Sequence, residues 1–113
     1  MLPQINRLRK EKDVNKVFKT GKSVFDPVCG FKGLKNNLGV SRFAVMVGVK
    51  ISKSSVVRNR IRRRIREIVR LNLPNIKPGY DLSLIVRPEA KTASYKELEQ
   101  AIIGGFRKVG LMK

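Results

Sequence analysis

Between Ser54 and Leu71 the chain reads Ser-Ser-Val-Val-Arg-Asn-Arg-Ile-Arg-Arg-Arg-Ile-Arg-Glu-Ile-Val-Arg-Leu, and this run constrains the fold more than any other. At about 100° per residue, Val57, Ile61, Ile65 and Ile68 converge on one arc, with Val69 at its margin. Asn59, Arg62, Arg63, Arg66 and Arg70 take the opposite arc, and Arg58, Arg60 and Arg64 sit on the flanks. Ser54 or Ser55 can cap this helix, and Asn72 and Pro74 stop it near Leu71. A helix so divided has to dock its apolar stripe on another element while a ridge of guanidinium groups faces outward.

That ridge is more than a solvated face. Solvated helix faces alternate charge sign, because opposite charges four residues apart support the helix. Here only Glu67 offsets the arginines, so the like charges weaken the helix unless an external anion neutralises them. Nine of the chain's 26 basic residues fall in this neighbourhood: Lys50, Lys53, Arg58, Arg60, Arg62, Arg63, Arg64, Arg66 and Arg70. Seven more surround the first helical segment: Arg7, Arg9, Lys10, Lys12, Lys16, Lys19 and Lys22. The net charge is +18, from 26 Lys+Arg against 8 Asp+Glu. Arg predominates from Arg58 to Arg70, and its planar fork matches phosphate oxygens in pairs and stacks on bases. The expected partner is a nucleic acid. RNA is favoured over duplex DNA, since no helix-turn-helix companion or zinc-finger ligand set accompanies the helix.

Composition narrows the function further. The chain has no His and a single Cys, Cys29. Imidazole bases, His-dependent triads and His metal ligands are excluded, as are internal disulfides and Cys-rich zinc sites. A small-molecule substrate is not expected. The segment Met1 to Lys10 lacks the apolar core of a signal peptide, and the longest apolar run, Phe43 to Val47, is far short of a membrane span. Membrane partners are therefore not expected, and a lone Cys suits a reducing, cytoplasmic setting. Cys29 is expected to be a buried small hydrophobe.

At 113 residues a single domain, 1–113, is expected. Val14, Val17 and Phe18 fall at helical spacing within Arg9 to Thr20, with Gly21 at the C-cap position. Lys22 to Lys32 contains Pro27 and is expected to be an edge or bulged strand at best. Gly33 to Gly39 reads as a turn, and Arg42 to Val49 as a central strand. Tyr80 to Arg87 alternates Leu82, Leu84 and Val86 on one face, and Pro88 ends it. Ser94 and Glu97 form a capping box for a last helix with the stripe Leu98, Ile102, Phe106 and Val109. Gly104-Gly105 in that helix costs about 1 kcal/mol per glycine relative to alanine, which calls for close packing or marks a soft helix end. The predicted class is α+β, a sandwich of helices on one mixed sheet.

The string Lys50-Ile51-Ser52-Lys53 followed by Arg58-Asn59-Arg60-Ile61-Arg62-Arg63-Arg64-Ile65-Arg66-Glu67 resembles the signature of the protein subunit of bacterial ribonuclease P. Leu8, Asp13, Val17, Phe18 and Gly21 are similar to that family's first helix, and Tyr80 to Pro88 to its last strand. The resemblance covers roughly Leu8 to Phe106. It implies a single-domain α/β sandwich with a four-stranded mixed sheet and a left-handed βαβ crossover, a hand that is rare. It further implies a catalytic RNA partner that cleaves the 5′ leader from precursor tRNA with Mg²⁺ held mainly by the RNA. No residue of this chain is then catalytic.

The resemblance also implies two binding surfaces. Lys50, Lys53, Arg58, Asn59, Arg60, Arg62, Arg63, Arg64, Arg66 and Arg70 would meet the RNA subunit. Val14, Phe18 and Lys32 would line a groove for the single-stranded leader, where Phe18 could equally be ordinary core. The chain departs from the family pattern in three places. Val14 stands where a second phenylalanine is common, the segment between Lys53 and Arg58 is one residue longer, and Pro27 and Cys29 are atypical. Asp13 and Asp26 are weak candidates for holding a cation. Charge and size alone would also suit a small ribosomal or other structural RNA-binding protein.

Overall fold

A computed structural model describes residues 2–113. Four strands, β1 (Lys22–Val24), β2 (Cys29–Lys35), β3 (Arg42–Met46) and β4 (Tyr80–Val86), form one sheet in the order β1-β2-β4-β3. β2 pairs antiparallel with both β1 and β4, whereas β3 runs parallel to β4. Three helices pack on this mixed sheet: α1 (Glu11–Thr20), α2 (Ser55–Asn72) and α3 (Tyr95–Val109). The connection from β3 to its parallel neighbour β4 passes through α2.

The sheet order corrects two expectations. β2 is central, not an edge, because Pro27 lies in the loop between β1 and β2 and leaves the strand's own N–H groups free to pair. The supposed turn at Gly33 begins only at Asn36, since Gly33, Leu34 and Lys35 are paired with Leu82, Asp81 and Tyr80. Gly33 serves the strand through close approach: a Cβ there would lie 2.8 Å from Val109 Cγ1 and 3.0 Å from Leu82 Cδ1. β3, in turn, is an edge strand and ends at Met46. Its apolar character comes from packing, and its outer edge is met by the N-terminal segment, where Leu8 N donates to Phe43 O at 2.8 Å.

Side chains alternate across each strand. Cys29 and Phe31 of β2, Phe43 of β3 and Leu82, Leu84 and Val86 of β4 belong to one apolar cluster with α2 and α3. α2 contributes Ile61, Ile65, Ile68 and Val69, the last fully buried rather than marginal. Its N-cap is Ser54, whose Oγ accepts from Val57 N at 3.3 Å. α3 carries the expected capping box of Ser94 and Glu97 and buries Leu98, Ile102, Phe106 and Val109. Phe106 meets Phe31 edge-on at 6.0 Å and Phe43 at 5.8 Å. Gly105 explains half of the glycine pair, because a Cβ would lie 2.2 Å from the Phe31 ring. Nothing in the structure explains Gly104.

α1 lies alone on the opposite face. Val17 is its fully buried residue, and Val14 and Phe18 are only half-buried. One short helix cannot cover a four-stranded sheet. Gly30, Lys32, Ala44, Met46 and Ile85 are left half-buried.

Candidate nucleic-acid interface

The first candidate surface is the outer side of α2. Asn59, Arg60, Arg63 and Arg64 are exposed, and Arg58, Arg62, Arg66 and Arg70 are half-buried along the flanks. Three of these arginines are already engaged within the protein. Arg58 Nη1 donates to Ser52 O at 2.9 Å, which ties the segment carrying the exposed Lys50 and Lys53 to the first turn of α2. Arg70 pairs with Glu67, its Nε donating to Oε2 at 3.0 Å. The Arg70 hydrogen bond holds the Glu67 carboxyl down at about 2, well below its ordinary range. Arg62 Nη1 donates to Asn59 Oδ1 at 2.6 Å, a neutral partner that leaves its charge uncompensated.

The fold gathers further charge onto this ridge. Partial burial lowers the Arg66 pKa, and so do the neighbouring charges of Arg7, Arg62 and Arg9. Arg7 and Arg9 thus stand near the α2 ridge as well as before α1. A local reading of the sequence could not find them, because Arg7 is placed by its bridge to Phe43, on the far side of α1, β1 and β2 in the chain. Two clefts mark the result: one of 460 Å³ lined by Val56, Asn59, Arg62, Arg63 and Arg66, and one of 200 Å³ lined by Arg7, Arg63, Arg66 and Glu67. Crowded cations with few acidic neighbours make this surface fit for a polyanion.

The second candidate surface is the half-covered face under α1. Lys32 Nζ donates to Phe18 O at 3.1 Å and sits 5.4 Å from the Phe18 ring centroid. Lys32 therefore holds the last turn of α1 on β2, where a cation also favours the negative helix end. Val17 takes the core position, which leaves Phe18 and Val14 at the rim. An ion network that the sequence did not disclose fixes the other end of α1. Arg42 donates twice to Asp81, at 2.8 and 2.7 Å, and reaches Asp13 of α1 at 3.4 Å. Asn36 Nδ2 also donates to Asp81 Oδ1 at 2.8 Å. The hydrogen bonds that Arg42 donates to Asp81 raise the Arg42 pKa above its ordinary value.

The acidic residues are thereby occupied. Asp13 faces Arg42, and Asp26 Oδ1 accepts from Val28 N at 2.9 Å, so the two do not come together. Among the described residues no group of three or more His, Cys, Asp or Glu could hold a metal ion. Asp13 and Asp26, each with its own protein partner, do not together fit a Mg²⁺ site. Cys29 is fully buried, and burial followed by the Asp26 charge pushes its thiol up to about 12.

A family model described as Ribonuclease P matches residues 2–110. The chain belongs to the ribonuclease P protein family. The ribonuclease P protein component of Clostridium botulinum (strain Langeland) is 39% identical over 107 residues, covering 94% of this chain and 96% of that protein. The one from Clostridioides difficile is 41% identical over 96 residues, covering 84% and 83%. A mutant ribonuclease P protein of Staphylococcus aureus shares the fold with a TM-score of 0.90 at 23% identity, over 96% of this chain and 92% of that one. The Thermotoga maritima ribonuclease P protein superposes with a TM-score of 0.82 at 27% identity, over 90% and 96%. Members of this family are protein components of the ribonuclease P ribonucleoprotein, an endoribonuclease of tRNA maturation. A match of this extent does not favour a structural protein of the ribosome. Among the described residues, no helix is long and apolar enough to cross a membrane.

Proposed function

We propose that this ribonuclease P protein binds the catalytic RNA through the α2 ridge and the leader of precursor tRNA through the α1 face. The observation that carries the reading is the gathering of Arg7, Arg62 and Arg63 with Arg66 along two clefts in which, among the described residues, Glu67 is the one acidic lining residue, with Arg9 adding to the same positive field. RNA phosphates supply that counterpart. Exposed Asn59, Arg60, Arg63 and Arg64, with Arg62 and Arg66 beside them, are the groups available to it. Lys50 and Lys53 extend the surface past the N-terminal end of α2, where the helix dipole also favours anions. Arg58 and Arg70 play a different part: Arg58 orients the Lys50–Lys53 segment, and Arg70 is held by Glu67.

The leader surface uses Phe18, whose half-exposed ring can stack an unpaired base with little sequence preference. Lys32 fixes the height of that ring above β2, and Val14 adds apolar rim without a second aromatic face. Chemistry on the phosphodiester bond belongs to the RNA, which would also hold the Mg²⁺, since this chain offers no carboxylate set for it. Neutralising phosphates lowers the ionic requirement of the RNA fold and of substrate docking. The reading places the protein in the cytoplasm, where precursor tRNA is made and where a single free thiol is stable.

Reconstitution tests it. Adding the purified protein to the cognate catalytic RNA at low Mg²⁺ should stimulate cleavage of precursor tRNA at the mature 5′ end. Absence of stimulation by the wild-type chain would refute the proposal.

A further inference from the structure

β4 does not stop contributing to the open face at its last ladder pair. The next residue, Arg87, still pairs through its backbone, donating to Val28 O at 3.0 Å. By alternation it shares a face with Ser83 and Ile85. Its guanidinium carbon lies 4.5 Å from the ring centroid of Phe25, in the loop between β1 and β2. Phe25 is 62% exposed, so core packing does not account for the aromatic ring. Among the described residues no carboxylate pairs with Arg87, and its Nε is buried without an acceptor. The guanidinium is therefore held by the ring rather than by an ion pair.

The same Arg87 lines a cleft of 700 Å³. Met46, Ile51, Ile85 and Pro88 give it an apolar floor, and Lys50 stands with Arg87 as its second cation. The cleft lies at the ends of β3 and β4: Met46 and Ile85 join it to the sheet face that also carries Phe18 and Lys32, while Ile51 and Val86 reach it from the other layer. Lys32 pairs with Ser83, and four residues of strand separate Ser83 from Arg87, or about 13 Å. The two ends of the face thus each present a cation–aromatic pair, Lys32 with Phe18 and Arg87 with Phe25.

We propose that Arg87, backed by Phe25, is a second base-stacking platform of the leader groove. It would take a different leader nucleotide from the one at Phe18. This rests on the reading that the α1 face holds the leader. The chemistry is specific to an unpaired nucleotide: a guanidinium plane stacks on any base, the apolar floor accepts the base edge, and Lys50, which stands where this cleft meets the surface continuing the α2 ridge, neutralises the attached phosphate. Phe25 backs the guanidinium, which is planar by resonance, and partly dehydrates it, which strengthens the stack. The platform offsets the aromatic face that is missing at Val14.

The test uses the reconstituted ribonucleoprotein and precursor tRNAs with leaders of graded length, carrying 2-aminopurine at one leader position at a time. In the wild type, affinity should rise again when the leader becomes long enough to reach the cleft, and one fluorophore position should be quenched by stacking there. Phe25→Ala and Arg87→Lys should each lower the ratio of long-leader to short-leader affinity about three- to tenfold and restore that fluorescence. Arg87→Lys keeps the charge, so its loss reports stacking rather than attraction, and Phe25→Tyr should retain both signals. Circular dichroism checks the fold, and because Phe25 is exposed its variants decide the matter if Arg87→Lys does not fold. If the wild type prefers long leaders and Phe25→Ala keeps the full ratio and quenching, the platform is wrong and the leader reading stands. If the wild type shows no leader preference at any length, the leader reading fails and the platform with it.

Discussion

Leu82, Leu84 and Val86 project from β4 into the layer under α2 and α3, while Asp81, Ser83, Ile85 and Arg87 project from the same strand toward α1 and the open groove. On the first face these three residues are apolar and buried, with Phe31 and Phe43 beside them and Phe106 packed against both rings. On the second, polar groups are held by an ion network at one end, and half-buried apolar groups lie uncovered at the other. Period-two alternation lets one strand serve both, so stability and binding can be separated residue by residue. A helix of ten residues over one face, against two longer helices over the other, produces the asymmetry.

Substitutions on the closed face should cost the most. Phe106→Ala removes a ring packed against both Phe31 and Phe43 and should destabilise the fold by about 3–5 kcal/mol in urea denaturation. A cost under about 1 kcal/mol would mean that the two faces do not differ in the way described. Next comes the network that seats α1. Arg42→Ala leaves the buried Asp81 without its paired donors and should cost about 3 kcal/mol, measured by the same denaturation. Arg42→Lys should recover only part of this, since an ammonium cannot donate in the same fork.

The alkaline limb of stability sharpens the comparison further. Cys29 belongs to the closed face, and its folded-state thiol is raised from 9.0 to about 12. A raised folded value means that the contribution is fully present below pH 9 and is lost as pH climbs from 9 toward 12. Each unit in that window should cost about 1.4 kcal/mol, visible as a falling denaturation midpoint that Cys29→Ala does not show. The same burial predicts thiol labelling in urea but not in the native state. The smallest effect is expected at Ser83, on the α1 face. Its Oγ is buried without a hydrogen-bond partner, so Ser83→Ala should be neutral or stabilising by up to about 1 kcal/mol.

What the sequence disclosed follows the range of the interactions involved. The stripe and ridge of α2, the Ser54 cap and the Ser94–Glu97 box depend on residues within about one turn of each other, and each stands in the structure where the pattern put it. The central and edge strands were exchanged because hydrophobicity reports burial, not the number of neighbours. Phe43 to Val47 reads as central yet lies at the edge, and Pro27 falls just outside the strand it was thought to weaken. Gly33 marks a close approach of Val109 rather than a turn, which no local pattern can reveal. The Arg42–Asp81–Asp13 network and the arrival of Arg7 beside Arg66 join residues far apart in the chain, so only the fold brings them together. Phe18 could be core or groove in the sequence; in the structure Val17 takes the buried position and Phe18 is half-buried beside it.

The central claim is that the α2 ridge and the α1 face bind different parts of the RNA, and one crossed experiment tests it. Binding of leader-bearing precursor and of mature tRNA to the reconstituted ribonucleoprotein would be measured against salt for Phe18→Ala and for the double variant Arg62→Ala with Arg66→Ala, together with assembly on the catalytic RNA. Phe18→Ala should reduce the preference for precursor over mature tRNA about fivefold or more while leaving the salt slope of assembly in place. The double arginine variant should flatten that slope by about 1.5 units and weaken assembly without changing the leader preference. If both variants shift the leader preference and the salt slope alike, the two surfaces are not separate and the account is contradicted.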